Sequence, residues 1–168
     1  MCIRDSARFD AIEREYKYFI TQEKDVHNQE SKYFFSRKLD FKLIQSATQI
    51  IKKNKNFKSF CRTRTNVNNF ECEVFDFRFE VTEHELIFTI KANRFLRNMV
   101  RSIIGTILDI GLERTTLKDL NNIIKKSNRV YAGSSAPAHG LFLTGIKYPE
   151  KYITCLLYTS DAADDTCC

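Results

Sequence analysis

The stretch from Lys91 to Gly111 constrains the fold most, because its apolar residues recur with the spacing of an α-helix. At about 100° per residue these positions fall on one broad face, and such a face is usually buried against a core. The pattern therefore predicts an amphipathic helix at the centre of the domain. Its apolar positions are Phe95, Leu96, Met99, Val100, Ile103, Ile104, Ile107 and Leu108.

The opposite face of this predicted helix is basic. It has no acidic residue before Asp109, whereas exposed helix faces commonly mix charges of both signs. Gly105 would let another segment approach this face closely. Two interpretations stay open: a solvated face of a core helix, or a face that presents arginines to an anion. Its other polar positions are Arg94, Arg97, Asn98 and Arg101.

Three segments alternate with a period of two, which is typical of β-strands. They are residues 12–20, 72–81 and 85–91, and residues 141–148 are predicted to close the domain as a further strand. The second and third segments are predicted to pair antiparallel. In the second, Phe75, Phe77 and Phe79 are predicted to share one face of the sheet, because side chains two residues apart point the same way.

Two further segments have helical spacing. One runs from Phe41 to about Lys53 after a capping residue, Asp40. The other runs over residues 116–126, with Thr115 or Thr116 as its cap. Because the strands can pair antiparallel and the helices can collect on one face, the sequence predicts a single α+β domain with a mainly antiparallel sheet.

The two ends of the chain share no pattern with this body. Residues 1–6 and 155–168 look like foreign, adapter-like sequence, and we expect the domain to span residues 7–154. The ends hold one base and four acids, so the 27 basic and 21 acidic residues of the chain become 26 and 17 in the body, a net charge of +9. Such a body suits a polyanionic partner.

The sequence offers little support for metal, nucleotide-hydrolysis or membrane functions. Cys61 and Cys72 lack the spacing of a zinc site, the three histidines are scattered, and no glycine-rich phosphate loop is present. No apolar run reaches the roughly 20 residues of a membrane-spanning helix. We therefore expect a cytoplasmic protein with free thiols, no metal site and no membrane partner.

Several segments match, in order, the motifs of one enzyme family. A strand ending in Lys91-Ala92-Asn93 precedes F-x-x-x-M-V-R at residues 95–101, and an A-P-x-x-G-L-x-L strand follows at residues 136–143. Upstream, R-F-D-A at residues 8–11 and R-E-Y-K-Y at residues 14–18 extend the match. In these motifs the chain resembles the C-terminal domain of the TruA-type tRNA pseudouridine synthases.

The resemblance implies roles for individual residues. Tyr16 matches the tyrosine that stacks on the target uracil, and an aromatic ring with a hydroxyl suits that contact. Arg101 matches the arginine that pairs with the catalytic aspartate and keeps it ionised. Leu141 matches a residue of the uracil pocket. Candidates for contacts with RNA phosphates are Lys17, Lys58, Arg62, Arg64, Arg94 and Arg97.

The aspartate itself belongs to a G-R-T-D motif ahead of the R-x-Y-x-Y strand in the family, and this sequence contains no such motif. The stretch Arg62–Val67 resembles it superficially, yet it lies downstream of Tyr16 and places Asn66 where a carboxylate is needed. An amide cannot attack as an anion, so we exclude this stretch. We therefore expect a fragment without its N-terminal half that is inactive alone.

The implied reaction is the isomerisation of uridine to pseudouridine in the anticodon stem-loop of tRNA. The family uses no cofactor or metal and acts as a homodimer, so the resemblance implies tRNA and a second copy of the chain as partners. Two alternatives stay open. A non-catalytic RNA-binding α+β module would present aromatic RNP motifs, which are absent here. A protein-interaction domain would use the basic residues for another protein.

Overall fold

The computed structural model describes residues 10–23, 31–63 and 68–150, and the fold is given for these ranges. They form five strands and three α-helices in one α+β arrangement, as the sequence predicts. The end segments that look foreign, residues 1–6 and 155–168, lie outside the described residues. The strands are β1 (Glu13–Thr21), β2 (Tyr33–Phe34), β3 (Val74–Val81), β4 (Glu85–Ala92) and β5 (Leu141–Lys147).

Strand β1 lies at the centre of the sheet, which runs in the order β2, β1, β4, β3. Strand β5 also pairs antiparallel with β1, on the edge of β1 that faces away from β4. This pairing places Tyr18 opposite Leu141 and Tyr16 opposite Leu143. The one parallel pair among the described strands joins β1 to β2 over two residues. The two ends of the motif match, β1 and β5, are therefore neighbours in space.

Strand β3 contains a bulge that corrects one sequence prediction. Val74 lies opposite Ala92 and Asp76 lies opposite Lys91, so Phe75 is an extra residue without a partner across the ladder. The bulge reverses the alternation at this point. Val74 and Phe77 are both buried, whereas Phe75 is 41% exposed and does not share their face.

The helices are α1 (Phe41–Lys53), α2 (Met99–Gly111) and α3 (Leu117–Lys126). Both predicted caps are present. The Asp40 carboxylate accepts hydrogen bonds from the backbone N–H groups of Lys42 and Leu43. Thr116 and Asp119 form a reciprocal capping box at the start of α3. Alternate residues of β1 and β4 are buried under the helices, so the core lies between one face of the sheet and the helix layer.

Helix α2 begins at Met99 and not at Phe95, which corrects the predicted helix. Asn98 adopts the left-handed conformation, with φ of 67°, and this conformation interrupts a right-handed helix. Arg94, Arg97 and Asn98 therefore lie in the connection before α2. Of the basic positions assigned to the helix, Arg101 alone belongs to it.

The polar side of α2 is covered by the chain, and it is not a solvated face. Ser102, Gly105 and Thr106 are buried, and Gly105 and Thr106 contact the segment 132–137. A Cβ atom at Gly105 would lie 1.8 Å from the Ser134 carbonyl oxygen, so only glycine permits this approach. The predicted close contact at Gly105 is confirmed, and the segment that makes it is 132–137.

Candidate active site

A pocket of about 610 Å³ opens at the N-terminal end of α2. Its walls come from β1, from the connection before α2, from the first turn of α2 and from the start of β5. The pocket brings together the three residues expected to contact the uracil or the aspartate, although they are far apart in sequence. It also includes two of the predicted phosphate contacts. These five residues are Tyr16, Arg62, Arg97, Arg101 and Leu141.

One wall of the pocket is aromatic. The ring of Tyr16 meets the ring of Phe95 edge-to-face, with centroids 5.0 Å apart and an angle of 89° between the planes. This contact holds the Tyr16 ring in place, and its hydroxyl makes no hydrogen bond to the residues that the structure describes. Phe95 is a lining residue that the sequence prediction missed, because its spacing placed it on the apolar face of a helix.

Arg101 lies in the first turn of α2 and is held from two sides. Its Nε donates to the Ala136 carbonyl oxygen at 2.7 Å, and its own carbonyl accepts from the Ala136 N–H at 2.9 Å. Within the described ranges its two terminal nitrogens have no hydrogen-bond partner. A guanidinium fixed through Nε in this way can still offer its Nη atoms to a carboxylate.

Segment 132–137 is fixed beside the pocket by side chains from several elements. The Tyr18 hydroxyl donates to the Pro137 carbonyl oxygen at 2.8 Å, and burial raises the pKa of this phenol. Asn98 Nδ2 donates to the Ser135 hydroxyl at 2.6 Å. Arg129 donates to the carbonyl oxygens of Ala132 and Gly133. The Arg101 guanidinium is therefore held by a rigid support.

The charge of the pocket is entirely positive among its described lining residues. Four arginines contribute to it, and no aspartate or glutamate does. Arg14 is the fourth, and it donates to the backbone carbonyls of Ala11 and Asn93, which ties the start of β1 to the end of β4. Such a site attracts an anion, and it would hold an incoming carboxylate in its ionised form.

Three of the predicted phosphate contacts that the structure describes do not line this pocket. Lys17 lies on the opposite face of the sheet from Tyr16, because adjacent strand residues point to opposite sides. Arg94 lies in the connection after β4, and Lys58 lines a neighbouring pocket. Arg64 lies outside the described residues. The described site residues that were predicted from the sequence therefore form two groups, one that lines this pocket and one that lies elsewhere.

Within the described part of the chain, no three histidine, cysteine, aspartate or glutamate side chains are grouped so that they could hold a metal ion. Cys61 and Cys72 are buried, and neither forms a disulfide within the described ranges. No described helix combines the length and the apolar character that crossing a membrane requires.

Comparison with known proteins decides the family. The family model described as tRNA pseudouridine synthase matches residues 54–149. The chain belongs to the tRNA pseudouridine synthase family. The match begins before β3 and ends after β5, so it includes Arg101 and Leu141 in the pocket, while Tyr16 on β1 lies ahead of it.

Individual members of this family match over more of the chain. It is 43% identical over 144 residues to tRNA pseudouridine synthase A of Azobacteroides pseudotrichonymphae, an alignment that covers 86% of this chain and 58% of that protein. It is 40% identical over 145 residues to the Parabacteroides distasonis enzyme of the same name, with the same coverage. The Bacillus subtilis enzyme is 33% identical over 144 residues, covering 84% of this chain and 58% of that enzyme. The chain thus spans somewhat more than half the length of these relatives.

Proposed function

We propose that this chain is the part of a TruA-type tRNA pseudouridine synthase that binds the target uridine and holds the catalytic aspartate ionised. One observation carries the proposal: the Tyr16 ring and the Arg101 guanidinium line the same cationic pocket, and its described lining contains no carboxylate. The relatives named above are tRNA pseudouridine synthases, which supports tRNA as the substrate.

Each side chain has a distinct part in the proposed reaction. The uracil leaves the base stack and rests on Tyr16, whose ring is held by Phe95. Leu141 bounds the pocket on the side of β5. Arg101 pairs with an aspartate and lowers its pKa, so that the carboxylate is ionised when it attacks. Arg62 and Arg97 bind flanking phosphates.

The isomerisation conserves every atom of the nucleotide. The carboxylate attacks C1′ of the ribose while the bond from C1′ to N1 of uracil breaks, and the base turns. C5 then bonds to C1′ and displaces the carboxylate, C5 releases its proton and N1 gains one. No oxidant, metal or cofactor is needed to balance this sequence of steps.

The aspartate is supplied, in this proposal, by a segment outside these 168 residues. The sequence lacks the G-R-T-D motif, and the described lining of the pocket contains no carboxylate. We also propose that the enzyme works in the cytoplasm as a homodimer. Alone, the chain binds tRNA without isomerising it.

Tritium release from tRNA that carries 5-tritiated uridine tests the proposal. The chain alone should release no tritium. A chimera in which this chain replaces the 144 aligned residues of the Azobacteroides pseudotrichonymphae relative should release it, because the relative then supplies the aspartate. In that chimera Arg101→Ala should lower the rate by at least about 100-fold, since the aspartate loses the cation that holds its carboxylate in position for the attack.

Two outcomes would contradict the proposal. Tritium release by the chain alone, abolished by Arg101→Ala, would mean that a carboxylate within the chain performs the attack. A correctly folded chimera that binds tRNA without releasing tritium would mean that this pocket does not serve the reaction. Lys125→Ala serves as the control, because Lys125 is exposed and lies outside the described lining of the pocket.

A further inference from the structure

A second concave site, of about 440 Å³, adjoins the proposed uridine pocket. Arg62 lines both sites, so they share a wall. The second site lies between the short 3-10 turn at Lys58–Phe60, the C-terminal end of α3 and the residues that follow it. Four basic side chains line it and no acidic one does, among the residues that the structure describes. They are Lys58, Arg62, Lys126 and Arg129.

Two of these cations are positioned by aromatic rings. The Lys58 ammonium lies 5.5 Å from the centre of the Phe70 ring, and the Lys126 ammonium lies 4.1 Å from the centre of the Tyr131 ring. Cation–π contacts of this kind restrict a flexible side chain while its charge stays available. Neither lysine forms a salt bridge within the described ranges, so no carboxylate there neutralises their charge.

The fourth cation supports the wall of the site. The Arg129 guanidinium donates to two carbonyl oxygens and to the Ser135 hydroxyl, all of which are neutral acceptors. Burial lowers the pKa of Arg129, although the group stays charged. Ser59 adds to the rigidity of the site, because its hydroxyl donates to the Ile123 carbonyl oxygen and ties the 3-10 turn to α3.

We propose that this second site binds a backbone phosphate of the RNA strand beside the target nucleotide. The inference rests on the proposed function, which makes RNA the ligand. Two lysines held on aromatic rings, with no acidic residue in the described lining, match a phosphate, and the shared Arg62 places that phosphate next to the uridine pocket. Phosphate contacts set the position of a nucleic acid without reading its sequence. The site therefore positions the strand that carries the uridine.

Lys126 and Lys125 offer a matched pair of variants. Both are exposed and both lie in the last turn of α3, whereas Lys126 alone of the two lines the second site. Lys126→Glu and Lys125→Glu change the net charge and the helix end equally. Lys58→Glu and Lys55→Glu form a second pair, because Lys55 is exposed and absent from the lining.

The experiment measures binding of the full chain to a fluorescent anticodon stem-loop RNA over a series of salt concentrations. One phosphate contact contributes a slope of about 0.7–0.9 to the dependence of log K on log salt, or roughly tenfold in affinity near 0.1 M salt. We expect Lys126→Glu and Lys58→Glu each to lower the affinity about tenfold and to reduce the slope by about one. Lys125→Glu and Lys55→Glu should each change the affinity less than about threefold.

Equal losses of RNA affinity in Lys126→Glu and Lys125→Glu would contradict the proposed site, because only the net charge would then determine binding. Inorganic phosphate could bind the wild type and not Lys126→Glu, while both proteins bind RNA with equal affinity. That result would show that RNA is not the ligand of this site. The proposed function is tested separately by tritium release from the chimera. If the chimera releases no tritium, while RNA binding is lost only in Lys126→Glu and Lys58→Glu, the phosphate site is supported and the proposed isomerase function is wrong.

Discussion

At the scale of single residues, Gly105 sets the distance between α2 and the segment that supports Arg101. Its missing side chain allows the Ser134 carbonyl to approach, and the adjacent Ala136 carbonyl then accepts from the Arg101 guanidinium. A backbone atom cannot move aside as a flexible side chain can. A larger side chain at position 105 would therefore displace the segment that supports Arg101 and so change the geometry of the pocket.

We expect Gly105→Ala to lower the free energy of unfolding by about 1–3 kcal/mol, because the added methyl group overlaps the Ser134 carbonyl oxygen. Urea denaturation monitored by circular dichroism measures this loss. Gly145→Ala is the control, since its Cβ would meet only the Glu15 Cβ atom, at 3.3 Å. Equal stabilities of the two variants would show that the segment 132–137 is free to shift.

The thiol of Cys72 gives a second prediction at this scale. Burial raises its pKa to about 11, so it is protonated at pH 8. Iodoacetamide should therefore alkylate Cys72 slowly in the native chain, and the rate should rise with pH up to about 11. Peptide mass spectrometry, with the urea-unfolded chain as reference, measures the reaction at this residue. Rapid alkylation of native Cys72 at pH 8 would contradict its burial.

At the scale of elements, the predictions from sequence succeeded where local signals agree. Helix α1 begins and ends where its periodicity and the Asp40 cap predict. The start of α2 was misplaced because Phe95 and Leu96 keep the helical phase, while the left-handed turn at Asn98 depends on contacts distant in sequence. The bulge at Phe75 was also missed, since the residues around it alternate without interruption.

The candidate site was predictable only in part, for a related reason. Motif order identified Tyr16, Arg101 and Leu141, and the structure places all three in one pocket. Phe95 was assigned to the core, because no periodic pattern reveals an edge-to-face contact with a ring on another strand. Of the second cationic site, Lys58 and Arg62 were predicted as phosphate contacts, whereas Lys126 and Arg129 were missed, since they follow Lys58 by more than sixty residues.

The cap of α1 yields a prediction for that element. Asp40→Ala should lower the free energy of unfolding by about 1 kcal/mol, because the N–H groups of Lys42 and Leu43 lose their acceptor. Asp40→Asn should lower it by less, as asparagine caps helices nearly as well. Urea denaturation of the three proteins compares them. A similar loss in both variants would indicate that the charge, and not the hydrogen bonds, stabilises the helix.

Glu15 on β1 forms hydrogen bonds with side chains of both neighbouring strands, β4 and β5, and these bonds predict how the stability of the fold depends on pH. Its carboxylate accepts from Lys91 on β4 and from Thr144 on β5, and these hydrogen bonds lower its pKa below the ordinary value of 4.5. The folded state therefore binds this proton less readily than the unfolded state does. The contribution to stability is complete above about pH 4.5 and is lost as the pH falls through the lowered pKa.

Glu15→Gln removes this titration. We expect the stability of the variant to fall less steeply than that of the wild type when the pH decreases below 4.5. Thermal unfolding of both proteins over a pH series measures the difference. Parallel curves would show that Glu15 has the same pKa in the folded and unfolded chains.

At the scale of the whole molecule, the described surface is uneven. One cationic pocket lies at the start of α2 and the other at the C-terminal end of α3, while apolar side chains are exposed along β5. Leu143 and Ile146 are 47% and 46% exposed, and the strand register places them opposite Tyr16 and Arg14, on the face that carries Tyr16. Among the described strands, β5 pairs with β1 and with no other strand. An open edge beside apolar side chains favours association between copies of a chain.

We therefore expect the isolated chain to self-associate through β5. Leu143→Glu and Ile146→Glu should each shift the protein toward monomer in sedimentation velocity at equal concentration, because a charge on this edge opposes pairing. Val130→Glu is the control, since Val130 is 82% exposed yet lies in the separate 3-10 turn after α3. An equal shift with Val130→Glu would attribute the change to net charge. If the wild type stays monomeric as its concentration rises, association through β5 is wrong, and the apolar residues on this edge are simply solvated.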